Sequence, residues 1–191
     1  HHSQSNSNPR VVDTSDGDQV LSVADGANRD RWLVVDDQAD NDPFVTGSIP
    51  ATGHVFDGVA GRAQVASAAY ELVGQTGKLS LQWDAITVPP GGRAALLHFT
   101  FNQLSRLRAR EAALRLSQLP PEALESLSEA ERAAVLNFAL PADGSSSVAP
   151  LPAVDVAVIR GTVVSGDGTT PIPQARVRLK SQSMLYGRDY Y

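Results

Sequence analysis

Outside the amino-terminal pair His1-His2, the chain carries two imidazoles, His54 and His98. A catalytic imidazole needs a carboxylate to orient it and an exposed nucleophile in front of it. No Gly-x-Ser-x-Gly turn supplies that nucleophile, and with no cysteine in the chain thiol catalysis and zinc-thiolate sites are excluded. His98 sits in a mostly apolar run and reads as a hydrogen-bonded sheet residue, not a base. A two-histidine zinc site lacks a third ligand at a fixed spacing. The acidic run Asp36-Asp37-Gln38-Ala39-Asp40-Asn41-Asp42-Pro43 concentrates hard oxygen ligands, the set that calcium takes. Asp37, Asp40, Asn41 and Asp42 are its candidate ligands, and Asp13, Asp16 and Asp18 form a weaker second cluster. Without an Asp-x-Asp-x-Asp-Gly loop closing on Glu, an EF-hand is excluded. The competing reading, a solvated turn whose Asp side chains cap their own backbone, is preferred for both clusters.

Carboxylate pairs for glycoside hydrolysis are weak as well. Asp36 and Asp37 are adjacent, so on a strand they face opposite sides, and Asp84 with Glu71 has no supporting motif. Trp32 and Trp83 could stack on sugar rings, but their apolar neighbours favour burial. Gly91-Gly92 follows Pro89-Pro90 and precedes a strand, which is a turn and not a phosphate cradle.

The elements that must position these groups are mostly strands. Over residues 9–101, short apolar runs recur between Asp-Gly and Gly-x-x-Gly turns: 10–12, 19–23, 31–35, 54–56, 63–72, 78–88 and 93–101. A spacing near ten residues predicts a mainly β fold, an antiparallel β-sandwich of Ig-like or jelly-roll-like kind. The alternation Leu79, Leu81, Trp83, then Ile86, Val88 predicts a strand bulged near Asp84-Ala85. Pro89–Gly92 would turn it into a return strand over 93–101, placed centrally because both its faces are apolar. Residues 102–139 change to helical period. Leu104, Leu107 and Leu114 share a face opposite arginines, Pro120-Pro121 ends that helix and starts a second, and Ser128-x-x-Glu131 is a capping box for a third. The basic face carries Glu111 and no bulky apolar groups, which is a solvated face and not a membrane-binding one. Residues 141–153, rich in Pro, Ser and Ala, read as a linker. Beyond them, Val154–Val164 and Ala175–Leu179 read as a C-terminal β-hairpin. Residues 1–8 read as the remnant of a purification tag and linker, within a longer parent protein.

Charge narrows the partners. Ten Asp against three Arg occupy residues 1–60, while residues 61–191 carry eleven acids and thirteen bases. An acidic front half repels phosphate backbones, which argues against nucleic acid. No apolar run approaches the ~20 residues of a membrane span.

Three stretches carry resemblances. Gly161-Thr162-Val163-Val164-Ser165-Gly166-Asp167-Gly168, with Pro171-Ile172-Pro173-Gln174-Ala175-Arg176-Val177-Arg178-Leu179, resembles the opening of a carboxypeptidase regulatory-like domain, a transthyretin-like β-sandwich. Gln174 stands where that family usually has Gly, and the likeness covers about twenty residues at the start of a second sandwich. The part from Arg10 to Leu140 resembles segments of large modular proteins of myxobacterial type, through Asp30–Asp37, His54–Gly58, Val88–Arg93 with Leu97-His98-Phe99, and Asn137–Pro141. The acidic run partly resembles the cadherin-type Asp-x-Asn-Asp-Asn-x-Pro calcium linker: Asp37, Asp40, Asn41 and Pro43 match, and Ala39 stands in place of a ligand Asn. These resemblances imply an exported or cell-surface bacterial protein of many domains, in which this part is a non-catalytic module for adhesion, scaffolding or filament formation. Its partners would be other proteins, neighbouring domains, or a second copy paired through strand edges. A carbohydrate-binding accessory domain of a secreted hydrolase and a calcium-rigidified spacer are the other two expectations.

Overall fold

The computed structural model describes residues 8–24, 29–37, 49–141, 144–146, 148, 161–173, 175, 179–180 and 189–190. The chain divides into two compact units, His1–Pro150 and Leu151–Tyr191. It is mainly β, in antiparallel sheets.

In the first unit, β1 (Arg10–Thr14), β2 (Trp32–Asp36), β3 (Ala51–Val55) and β6 (Phe99–Gln103) form one four-stranded sheet in the order β1-β2-β3-β6. Strands β4 (Val65–Val73) and β5 (Thr76–Trp83) form a separate hairpin turning at Gly74-Gln75, where Gly74 takes a positive φ of 65°. All pairings are antiparallel.

Strand alternation sorts the side chains onto two faces. Trp32, Val34, Ala51 and Val55 face one way and meet Ala109, Ala113, Leu124, Val135 and Phe138 from the helical segment. Leu33, Val35 and Phe56 face the other way and meet Val65, with Ala68, Tyr70, Leu79, Leu81 and Trp83 of the hairpin packed around them. The layers are therefore helices, sheet and hairpin. Strand β2, covered on both sides, is buried along its whole length.

The helices follow their local signals. Helix α1 (Arg106–Leu116) starts at Ser105, whose Oγ accepts from the Arg108 amide. Helix α2 (Pro121–Leu124) has Pro at its first position, and α3 (Glu129–Ala134) carries the full capping box of Ser128 and Glu131. No helix among the described residues is long and apolar enough to cross a membrane.

Strand pairing departs from expectation in three places. The partner of β5 is β4, and no hairpin forms between residues 78–88 and 93–101. Strand β5 stops at Trp83, and Ala85 takes a positive φ of 56° outside any strand instead of forming a bulge. The bulges fall at Val11/Asp13 and Val65/Ser67. Strand β6 lies at the end of the described sheet order, not in its centre. Residues 93–98 are apolar on both parities because they cross toward the helical segment, where Ala95 bridges Val135. His98 is accordingly outside the strands. The run 19–23 is likewise no strand.

In the second unit, Val164 bridges Pro171 across a turn ordered by Asp167, whose Oδ1 accepts from the amides of Thr169 and Thr170 at 2.8 and 2.9 Å. Two-residue strands β7 (Leu179–Lys180) and β8 (Asp189–Tyr190) pair antiparallel. Most of the expected strands at 154–164 and 175–179 lies outside the described residues.

Candidate functional site

The hairpin β4–β5 is fastened to the sheet at its base, and a cleft opens between them toward its tip. The fastening is a buried ion pair. Arg29 Nη2 lies 3.5 Å from Asp57 Oδ2, and both side chains are almost fully buried. Asp57 accepts from the Val65 amide at 2.7 Å, while Arg29 donates to the Val65 carbonyl and, at 2.6 Å, to the Val23 carbonyl. One residue at the start of β4 is thus gripped through both its N–H and its C=O. Trp83, opposite Val65 at the end of β5, donates its indole N–H to Asp57 Oδ1 at 3.2 Å. Burial pushes the Asp57 carboxyl above the usual carboxylate range, against these hydrogen bonds and the Arg29 charge.

A second polar clasp closes the helical side. Asn137, fully buried, accepts from the Leu97 amide at 2.9 Å and donates to the carbonyls of Leu97 and Phe56 at 2.7 and 2.5 Å. Its backbone carbonyl accepts from Gly58 at 2.8 Å. Asp36 pairs with Arg106 at 2.7 Å and joins β2 to the start of α1.

Near the hairpin tip, the hairpin-facing side of the sheet changes character. Toward β3 and β6 the inward positions become Thr52, His54, Thr100 and Asn102 in place of Leu33 and Val35. Polar side chains there do not draw the hairpin down, and a cleft of about 430 Å³ remains, lined by Val35, Thr52, His54, Tyr70, Leu79, His98 and Thr100 among others. His54 and His98 meet in it with ring centroids 5.5 Å apart and planes tilted by 35°. His54 Nδ1 is 3.3 Å from Thr100 Oγ1. Loss of water around His98 lowers its pKa, which favours the neutral imidazole. Tyr70 leans over Gly77, where a Cβ would collide with its hydroxyl, and that hydroxyl is buried without a hydrogen-bond partner among the described residues. Burial raises its pKa to about 12, so it stays a neutral donor. Lys78 also borders the cleft, but hairpin parity pairs it with Glu71 on the outer face.

The described acids singled out in sequence are engaged in local contacts of the fold. Asp37 is buried, and its carbonyl accepts from Arg106 at 3.0 Å. Asp40, Asn41 and Asp42 lie outside the described residues. Asp13 pairs with Arg110 at 3.6 Å. Asp16 and Asp18 serve the turn after β1, where Thr14 Oγ1 is 2.7 Å from Asp16 Oδ1 and the Val20 amide donates to Asp18. Asp84 accepts from Gln82. No three His, Asp or Glu side chains gather at metal-holding distances among the described residues. Trp32 is 2% exposed and offers no face to a sugar, and Trp83 is half-buried against the hairpin core.

Sequence reasoning placed His54 and His98 but not their meeting, and it overlooked Tyr70, Arg29, Asp57 and Asn137 as working residues. Only a Gly two residues from the hairpin turn, able to admit an aromatic ring from the neighbouring strand, hinted at Tyr70. Comparison of the chain with protein-family models, curated proteins and solved structures finds no match.

Proposed function

We propose that this chain is a non-catalytic structural and interaction module of an exported or cell-surface, multi-domain bacterial protein. One observation carries the reading: Arg29, Asp30, Asp36, Asp57 and Asn137, all buried, engage backbone groups or a charged side chain of another element, holding hairpin, sheet and helices in place. Such groups make a frame, and apart from Arg29 Nε, which is buried without a hydrogen-bond partner among the described residues, their hydrogen-bonding capacity is used within it. Contact with partners then falls to exposed apolar residues flanking β6, the end strand of the sheet among the described residues, chiefly Leu96 and Leu104. A strand at the end of a sheet with apolar neighbours is a site for pairing with another chain.

Light scattering across a concentration series tests this on the full chain. The reading expects concentration-dependent association that the double substitution Leu96→Lys and Leu104→Lys weakens. A strict monomer, or association indifferent to that charge, contradicts it.

A further inference from the structure

The cleft beneath the hairpin tip has a use that the frame does not require. We propose that His54 and His98 together hold one divalent transition-metal ion of the copper(II) or zinc class, with water completing its coordination. The inference goes beyond the module reading and does not depend on it.

Four observations lead there. The first is distance. Metal–nitrogen bonds near 2.0–2.1 Å place two ligating imidazole centroids about 4.5 Å apart at the right angle of a tetragonal copper site and about 5–5.5 Å apart at the near-tetrahedral angle of zinc, and the two rings are separated by 5.5 Å, a spacing that fits the wider angle. The second is topology. His54 stands opposite Thr100 in the β3–β6 register, and His98 is two residues before Thr100, so the rings are diagonal neighbours on one face. The third is outer-sphere support. Thr100 Oγ1 at His54 Nδ1 fixes the tilt of that ring, as hydrogen-bonding partners of metal-ligating histidines do. The fourth is ligand chemistry. No carboxylate side chain is among the described residues lining the cleft, which disfavours calcium and magnesium, whereas imidazole suits copper and zinc. Tyr70, whose buried hydroxyl has no hydrogen-bond partner among the described residues, lines the same cleft and offers a hydrogen bond to a coordinated water or anion.

With two protein ligands the site is open, so it binds more weakly than a closed four-ligand zinc site and exchanges its ion readily. Copper(II) should bind more tightly than zinc.

Calorimetric titration with copper(II) chloride and with zinc chloride, joined to electron paramagnetic resonance of the copper form, tests this. The parent chain carries His1→Gln and His2→Gln, because adjacent terminal imidazoles take the same ions. The expected result is one saturable copper site per chain with two nitrogen donors. His54→Gln and His98→Gln should each weaken binding about tenfold or more, the signal falling to one nitrogen. His98 lies outside the strands, so His98→Gln carries the test should His54→Gln disturb the fold. Absence of a saturable site, or copper affinity unchanged in the double variant, overturns the proposal.

Discussion

At Asp57 two opposing forces act on one carboxylate. Burial penalises its charge, and Arg29, Val65 and Trp83 compensate. The net result is a carboxyl that titrates above its ordinary value of 3.8. Between those two values the folded chain binds more protons than the unfolded one, so stability falls as pH rises through the window. Asp57→Asn removes that dependence. The stability advantage of the parent over the variant should therefore shrink as pH rises from about 3.8 through the folded value, measured by urea unfolding at a series of pH values. Tyr70 makes the reverse case. Its buried hydroxyl has no hydrogen-bond partner among the described residues, so Tyr70→Phe sheds a desolvation cost without opening a cavity. A gain of up to about 1 kcal/mol is expected in urea unfolding, and a loss would mean that the hydroxyl is bonded in solution.

Among the elements, β3 depends on a glycine for a reason beyond backbone freedom. Phe101 of β6 lies across Gly53, and a Cβ there would come within 2.1 Å of the ring. Gly53→Ala should cost about 1–3 kcal/mol through overpacking. The double variant with Phe101→Leu should recover part of that loss, a coupling that thermal unfolding of the four-member cycle measures. The capping box is independent of such contacts, and Ser128→Ala should cost about 1 kcal/mol. These two cases also mark what the sequence makes legible. Helix starts at Pro121 and Ser128 are written within four residues, because capping is local. The antiparallel β class is legible for the same reason, as alternation between turns. Which strand pairs with which is a long-range choice: β5 had a good turn at each end, and the turn at Gly74-Gln75 won because Pro89–Gly92 is followed by a segment drawn to α3. His54 and His98 are 44 positions apart, and only the β3–β6 register brings them together.

Across the first unit, hydrophobic layers supply the driving force and a few buried polar groups set how the layers meet. Asp57 and Arg29 fix the hairpin to the sheet, and Asn137 fixes the helical segment to the strands. The cleft follows from that arrangement, since the hairpin is held at its base and faces polar side chains at its tip. A frame of this kind differs measurably from an active site. Buried groups that serve the fold are costly to remove, whereas groups held for catalysis are often neutral or stabilising when replaced. Equilibrium urea unfolding of Asp57→Asn and Asn137→Ala at neutral pH makes that distinction most directly. The account predicts losses of about 2–4 kcal/mol for each, from a buried charge left unpaired and from backbone groups left unsatisfied. Variants as stable as the parent, or more so, would contradict it, because those side chains would then be held in place for something other than the frame.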